Sequence, residues 1–325
     1  MPKYTGRLAN VWFGVEATRG TAVNATTFTP KTDFSFYERA ETIQDESSIW
    51  VIADSLSTEV IRKWSEWALT TNASANSVWA LFYSLLGSVT SAEATTWAYT
   101  HNYTLANSNT HPTLTTCISD PTQGDMRYPL TMIQSMTLNA EEGWYATLTV
   151  NLKAKPWEET THSVSYDIEK AFLSKYSVFK TASNLAWLDG ASSVCLKSFE
   201  LTIEKNLEDD FCLGSDTPVD FLNKQTAITG GFTLQFTDET FKDFQLNGTQ
   251  RAVRFELINT DVTIWVSNNP TLRIDLPLAG LTEWNLAQGN DEIVMQTLNF
   301  KANYSQVDSS MINARVINTT EAYTS

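Results

Sequence analysis

Side chains that bind metal ions or act as nucleophiles are few and widely spaced in this 325-residue sequence. The three histidines, His101, His111 and His162, are far apart, and none has the HxxxH or HExxH spacing that places two imidazoles on one helix face. We expect them to be surface or strand residues. No GxSxG, P-loop or GxGxxG sequence occurs, and Gly230-Gly231 is better explained as a strand bulge or turn. The sequence therefore predicts no catalytic residue, no cofactor and no metal site.

Three pairs of adjacent carboxylates are the remaining candidates for chemistry. Glycoside hydrolysis needs two carboxyl groups held on opposite sides of a sugar bond. Adjacent acids usually stand in solvated turns instead, so we predict that the protein is not an enzyme. The pairs are Glu141 with Glu142, Glu158 with Glu159, and Asp209 with Asp210.

The charge of the chain restricts its partners. Acidic residues outnumber basic ones 37 to 22, and the net charge of -15 argues against a surface that grips phosphate backbones. The same sign suits a surface past which DNA slides, because like charges repel and shorten contact. It also suits a protein that is merely soluble. Charge alone leaves both interpretations open.

Cysteine usage and hydropathy indicate where the protein is made. Cys117, Cys195 and Cys212 are an odd number without a CxxC pair, so we expect reduced thiols rather than disulfides or zinc. The N-terminus lacks an apolar signal core, and no run approaches the roughly 18 apolar residues that span a bilayer. These features predict that the protein has no membrane partner and that it is made and assembled in the cytoplasm.

Period-two alternation dominates the stretch from Cys195 to Leu257 and predicts strands with one buried and one solvated face. In its first strand the apolar and polar positions alternate as Phe199, Leu201 and Ile203 against Glu200, Thr202 and Glu204. Asp238 is expected to cap a short helix that ends near Gly248.

The N-terminal half shows mixed periodicity. We predict strands at Phe34–Phe36 and at Ile49–Ile52, then a helix capped by Ser57 whose apolar stripe runs from Val60 to Ala68. A second helix is predicted over 78–86 with a stop at Gly87. The chain then returns to strands. The last of them forms a hairpin through the turn 141–143 and carries Thr147, Thr149 and Asn151 on its polar face.

Several phrases of the sequence resemble the major tail tube proteins of long, non-contractile-tailed bacteriophages (siphophages). They are LTIEKNLEDDFCLGS, ITGGFTLQF and LNGTQRAVRFEL, together with the opening VWFGVEATRGTAV, where Gly14, Glu16, Gly20 and Thr21 carry the likeness. The resemblance implies a mainly β protein, a β-sandwich or barrel with flanking short helices.

The two halves are faintly alike, since each closes on a long alternating strand, TLTVNLKAKP or MQTLNFKANY. One alternative is a duplicated tube fold, and the other is a single tube fold with a decoration. We divide the chain into a tube-like β domain at 1–157 with two helices, a connecting segment at 158–193, a second β domain at 194–305 with one helix, and a C-terminal tail at 306–325. The polar tail is expected to fray or to dock onto a neighbour.

The resemblance implies a structural virion protein whose copies close into rings and stack into the hollow tail tube through which DNA is ejected. A duplicated chain would need three copies per ring and a single fold six. The tape measure protein and the tail terminator are the other expected partners, and DNA would pass without specific binding. Our candidates for lining the lumen are Glu200, Thr202, Glu204, Thr147, Thr149 and Asn151.

A carbohydrate-binding β-sandwich of a phage or bacterial surface protein is the alternative function. It is favoured by 11 Trp and 11 Tyr, since aromatic faces stack on sugar rings. This alternative predicts a monomer with exposed tryptophans.

Overall fold

The computed structural model describes residues 4–161, 169–264 and 268–321, and in these ranges the chain is mostly antiparallel β-sheet. His162 lies outside them. The elements of the N-terminal part are β1 (Asn10–Val15), β2 (Thr27–Phe28), β3 (Asp33–Asp45), β4 (Ser57–Asn72), α1 (Trp79–Leu86), β5 (Gly87–Thr95), β6 (Ala98–Leu105), β7 (Leu114–Asp120), β8 (Gly124–Glu141), β9 (Thr147–Ala154) and β10 (Glu158–Glu159).

The C-terminal part contains a similar number of elements. They are β11 (Ser177–Ala182), β12 (Ser193–Val194), β13 (Ser198–Glu204), β14 (Leu207–Asp210), β15 (Asp220–Asn223), β16 (Ala227–Gln235), α2 (Thr240–Leu246), β17 (Gln250–Ile258), β18 (Thr271–Ala287), β19 (Met295–Ala302) and β20 (Asn313–Asn318). Short 3-10 helices occur at Gly6–Leu8, Ser174–Tyr176 and Leu185–Trp187.

Two antiparallel ladders of six strands have the same order. The first runs β1, β7, β8, β9, β4, β3, and the second runs β11, β17, β18, β19, β16, β13. Each has one α-helix at the same place in the chain, α1 after β4 and α2 after β16. The β5–β6 hairpin is inserted after α1. The ladders therefore repeat one connectivity along the chain.

The ladders also repeat their irregularities. The register shifts along β8 and β18 lie at Tyr128–Thr131 and Leu276–Ala279, and again at Ile133–Ser135 and Leu281–Glu283, so each is displaced by 148 positions. Such bulges bend a strand and increase its twist. Each long strand thus passes from one layer of a sandwich into the other, pairing with β7 or β17 first and with β9 or β19 afterwards.

The ladders are joined edge to edge where β13 pairs with β8 from Ser135 to Glu141. Both contribute to one large buried apolar cluster between the layers. Phe199 of β13 and Phe255 of β17 stack inside it with ring centroids 4.0 Å apart. The boundaries predicted at 157, 193 and 305 stay a prediction, although β11 lies inside the predicted connecting segment and pairs with β17.

The predicted helix from Ser57 is wrong, because these residues form the long strand β4. Val60 and Ile61, predicted members of the apolar helical stripe, are exposed. Trp67 and Leu69 are buried on one face of the strand. Aromatic and β-branched residues fit a pleated surface well. The apolar positions fit the helical period of 3.6 residues as well as the strand period of two. Pairing with β3 and β9 therefore decides that the segment is a strand.

Two further expectations are wrong. Residues Ile49–Ile52 form an exposed bend and not a strand. In the tail, Asn313–Asn318 does not fray but forms β20, which pairs with β18 on one side and β6 on the other. The hairpin at 141–143 is confirmed, and so are the helices ending at Gly87 and near Gly248, both with positive φ. Thr240 N donates to Asp238 Oδ1 at 2.9 Å, but Glu239 is the N-cap residue of α2, so Asp238 lies one residue before the expected cap position.

A buried lysine lies just after the strand that joins the two ladders. Lys205 is fully buried, and its Nζ lies 2.7 Å from Ser84 O and 2.6 Å from His111 Nδ1. Burial, together with the charge of Arg19, lowers the pKa of Lys205 to about 6. Burial, and to a smaller extent the charge of Lys205, also lowers the pKa of His111. Both side chains are therefore neutral above pH 7.

Replacing Lys205 should flatten the pH dependence of stability. Between the folded-state pKa and that of an unfolded lysine, the unfolded chain carries a proton that the folded chain lacks, so stability rises with pH. This single group contributes a slope of about 1.4 kcal/mol per pH unit. We expect urea unfolding between pH 7 and 9 to lose this slope in Lys205→Met. Lys224→Met, at an exposed lysine paired with Glu208, should retain it, and equal slopes in both variants would contradict the argument.

Candidate functional surfaces

The outward residues of one sandwich layer form a continuous surface that we call the polar face. It is built by β4, β9, β8, β13, β16, β19 and the last residues of β18, while the alternate residues of the same strands enter the core. In β13, for example, Phe199 and Leu201 are buried and Glu200 is exposed. One face of this layer therefore packs on the apolar core, and the other face is exposed to solvent.

All six lumen candidates lie on the polar face in matching rows. Thr202 stands opposite Thr137, which stands opposite Thr149 and then Thr70. The hydroxyl oxygens of Thr137 and Thr202 are 2.9 Å apart, and those of Thr70 and Thr149 are 3.1 Å apart. The two neighbouring rows contain the remaining candidates, Glu200 with Thr147 and Glu204 with Asn151. The face is thus a hydrogen-bonded array of short polar side chains.

The polar face is acidic in its C-terminal part. Four carboxylates and one ammonium group project from it between β8 and β18: Glu141, Glu200, Glu204, Glu283 and Lys301. Asn285 and Asn299 donate hydrogen bonds to Glu283, and these bonds lower the pKa of its carboxyl. The negative sign of the whole chain is therefore present on this surface.

The glycine pair at 230–231 is not a bulge or turn, so that prediction is wrong. Both residues lie in the unbroken ladder of β16 with β13 and β19. A Cβ at Gly230 would stand 2.4 Å from the carbonyl oxygen of Glu200 and 2.5 Å from the ring of Phe300. Glycine is needed there because the Phe300 ring lies against the backbone. A shallow depression of about 520 Å³ opens at this point of the polar face.

The β3–β4 hairpin extends beyond the sandwich as an arm, which we define as residues 40–63. Nearly all of its residues are exposed, and its bend carries Trp50 and Ile52 with their side chains fully in solvent. Ile43 and Val60 are also exposed apolar residues. A concentration of large apolar side chains at a projecting tip marks a contact surface. In the sequence, the bend is an apolar run between acids, and its composition predicts a strand instead of an exposed tip.

The sheet layer that carries the polar face ends in two strand edges that have no partner in the described chain, one on β3 and one on β18. The outer edge of β3 pairs with nothing beyond β4. On β18, the pairing with β17 stops at Gly280, so that edge is unpaired from Glu283 to Ala287 while β19 covers the opposite edge. Unpaired edges present free N–H and C=O groups to another strand.

The carboxylate pairs that were the candidates for chemistry form ion pairs with basic side chains. Each carboxylate pair has a member in an ion pair, Glu142 with Lys197, Glu158 with Arg127 and Asp209 with Lys153. Within the described ranges, no three His, Cys, Asp or Glu side chains cluster to hold a metal ion. All three cysteines are free thiols.

The two described histidines are both buried. His101 lies on β6, 2.7 Å from Ser91 Oγ, as a strand residue should. His111 is a buried residue of the loop between β6 and β7, contrary to expectation, and its Nε2 lies 3.1 Å from Ala106 O.

Comparison with known proteins gives one family. A family model described as "Phage tail tube protein" matches residues 6–302. No curated protein matches the chain. The structure contains no helix long and apolar enough to cross a membrane within the residues it describes.

Proposed function

The chain belongs to the phage tail tube protein family, and we propose that its copies close into rings that stack into the hollow tube through which DNA leaves the virion. Family membership places the protein in the virion tail. The observation that carries the proposal is the polar face, a wide acidic sheet surface backed by a single apolar core. Turned inward in a ring, it would give a smooth bore that repels DNA.

We propose a ring of three chains. The two ladders share their strand order and their bulges, so each chain would contribute two tube folds to a sixfold-like wall. The tail is proposed to be of the non-contractile, siphophage type, and the protein to be a structural one without catalysis. The tape measure protein inside the tube and the tail terminator at its end are the proposed further partners.

Ring mass tests the proposal directly. Three chains of 36.4 kDa give about 109 kDa and six give about 218 kDa. We expect light scattering on purified protein to find the smaller ring, and negative-stain microscopy of concentrated samples to show tubes of constant bore. A monomer at every concentration, with tryptophan fluorescence quenched by glycans, would overturn the proposal and restore the carbohydrate-binding alternative, which family membership does not favour.

Reversing the charge of the polar face should slow the passage of DNA. The variant Glu200→Lys with Glu204→Lys places ammonium groups where they can bind phosphates, so we expect tubes to form normally and ejection to slow several-fold. The delay should shrink as salt is raised, because counterions compete for the phosphates. Glu200→Gln with Glu204→Gln is the control and should eject almost normally. Unchanged ejection kinetics in the lysine variant would remove both residues from the lumen.

The arm tip should be needed for assembly and not for folding. Trp50→Ser with Ile52→Ser removes two exposed apolar side chains, each contributing about 1.5–3 kcal/mol when buried in an interface. The concentration needed for tubes should rise about 100-fold or more, while the unfolding midpoint of the subunit stays the same. Trp50→Phe with Ile52→Val keeps the apolar surface and should assemble. Normal assembly of the serine variant would exclude the arm tip as an interface.

A further inference from the structure

The contact between the two ladders provides a template for a contact between copies. Inside the chain, β13 pairs with β8 so that Glu204 stands opposite Ser135, Thr202 opposite Thr137 and Glu200 opposite Asn139. The strands that correspond to β8 and β13 in the opposite ladders are β18 and β3. β18 and β3 are the two end strands of the layer that carries the polar face, and both have an unpaired outer edge. The open edge of β18 corresponds to the edge of β8 that β13 covers, and the open edge of β3 corresponds to the edge of β13 that β8 covers.

The correspondence of β8 with β18 is fixed residue by residue. Both strands shift register at positions 148 residues apart, and their partners β9 and β19 align as TLTVNLKA and MQTLNFKA. Ser135 stands opposite Asn151 in the first ladder, and Glu283 stands opposite Asn299 in the second. Ser135 therefore corresponds to Glu283.

The correspondence of β13 with β3 follows from the same asparagines. In the second ladder, Asn299 pairs with Gly231, which pairs with Glu200 of β13. In the first, Asn151 pairs with Ala68, which pairs with Ser35 of β3. Glu200 corresponds to Ser35, and by the same step Glu204 corresponds to Arg39.

We propose that β3 of one copy pairs antiparallel with β18 of the next, with Arg39 opposite Glu283, Tyr37 opposite Asn285 and Ser35 opposite Ala287. This inference rests on the proposed ring and specifies its contact between subunits. Three internal contacts and three of these would then close the wall without a free edge.

The side chains fit this register on both faces. On the polar face, Arg39 and Glu283 bring opposite charges together, and the other facing pairs are uncharged. On the core side, Phe36 would stand opposite Leu286, and the buried row would continue from one copy into the next. Phe36 already packs on Trp67 and Tyr128, with ring centroids 5.8 Å and 5.1 Å away.

Disulfide trapping tests the register. Directly opposed residues of antiparallel strands have Cα atoms about 4.5–5.5 Å apart, which a disulfide can bridge. In a background with Cys195→Ser and Cys212→Ser, we expect Tyr37→Cys with Asn285→Cys to give covalent trimers on oxidation of preassembled tubes. Buried Cys117, whose pKa is raised by burial to about 12, should not react.

Matched controls separate the register from mere proximity. Arg39→Cys with Ala287→Cys uses the same two edges but is four residues out of register, about 13 Å along a strand, and should stay uncrosslinked. Either cysteine alone should also give no covalent trimer. Tubes that crosslink only in the offset pair, or in neither, would overturn the register while leaving the tube proposal intact. If native protein forms neither rings nor tubes, the proposed function itself fails.

Hydrogen exchange on unmodified protein gives a second test, in case the cysteine variants do not fold. Assembly should slow the exchange of alternate amides within 33–39 and 283–287, because these groups become paired. Amides of β13, already paired inside the chain, should change little. If the amides of both open edges exchange equally fast in subunits and in tubes, the proposed pairing is wrong.

Discussion

The hydrogen-bonding requirement of strand edges determines most of this structure. Each strand has two edges of backbone donors and acceptors, and those edges must find partners or face water. In the two ladders most edges are satisfied inside the chain, including the contact between β8 and β13. β3 and the end of β18 are left open in the described residues, and they are also the corresponding strands of the repeated ladder. Two joined copies of one ladder cover one pair of corresponding edges and leave the other pair open, so the subunit keeps two unpaired strand edges.

A single apolar core lies behind the polar face. The alternation of side chains in β13, β16 and β19 directs aromatic residues such as Phe199 and Phe300 inward and leaves short polar residues outside. Close packing also selects residues on the core side of the sheet, as at Gly230, which lies in the row of Leu201 and Phe300 and where the Phe300 ring excludes any side chain. Lys205, in contrast, is a buried polar residue that lowers the stability of the fold at neutral pH. Its amine lies within hydrogen-bond distance of a carbonyl oxygen and an imidazole.

Apart from the inserted β5–β6 hairpin, the two ladders differ in the hairpin between the first two strands of their polar layer. In the second ladder, β14–β15 folds back on the sandwich, and Phe221 is buried against Leu130 and Met132. In the first, the arm projects into solvent with Trp50 and Ile52 exposed. On the proposed duplication, one copy of the hairpin satisfies its apolar residues within the chain and the other keeps them for a second subunit. An exposed apolar surface of this kind marks a contact with another molecule.

The sequence alone determined the β-rich class, the two helices that end at glycines and the alternation that separates Glu200 and Thr202 from their buried neighbours. These features depend on local chemistry, namely side-chain period and backbone freedom at glycine. The sequence could not decide that Ser57–Asn72 is a strand, since its apolar residues fit two periods and only pairing with β3 and β9 selects one. Tertiary structure alone also brought Thr149 and Thr202 onto one face and left β3 and β18 open. Long-range register is a property of how distant strands meet, and no window of sequence contains both partners.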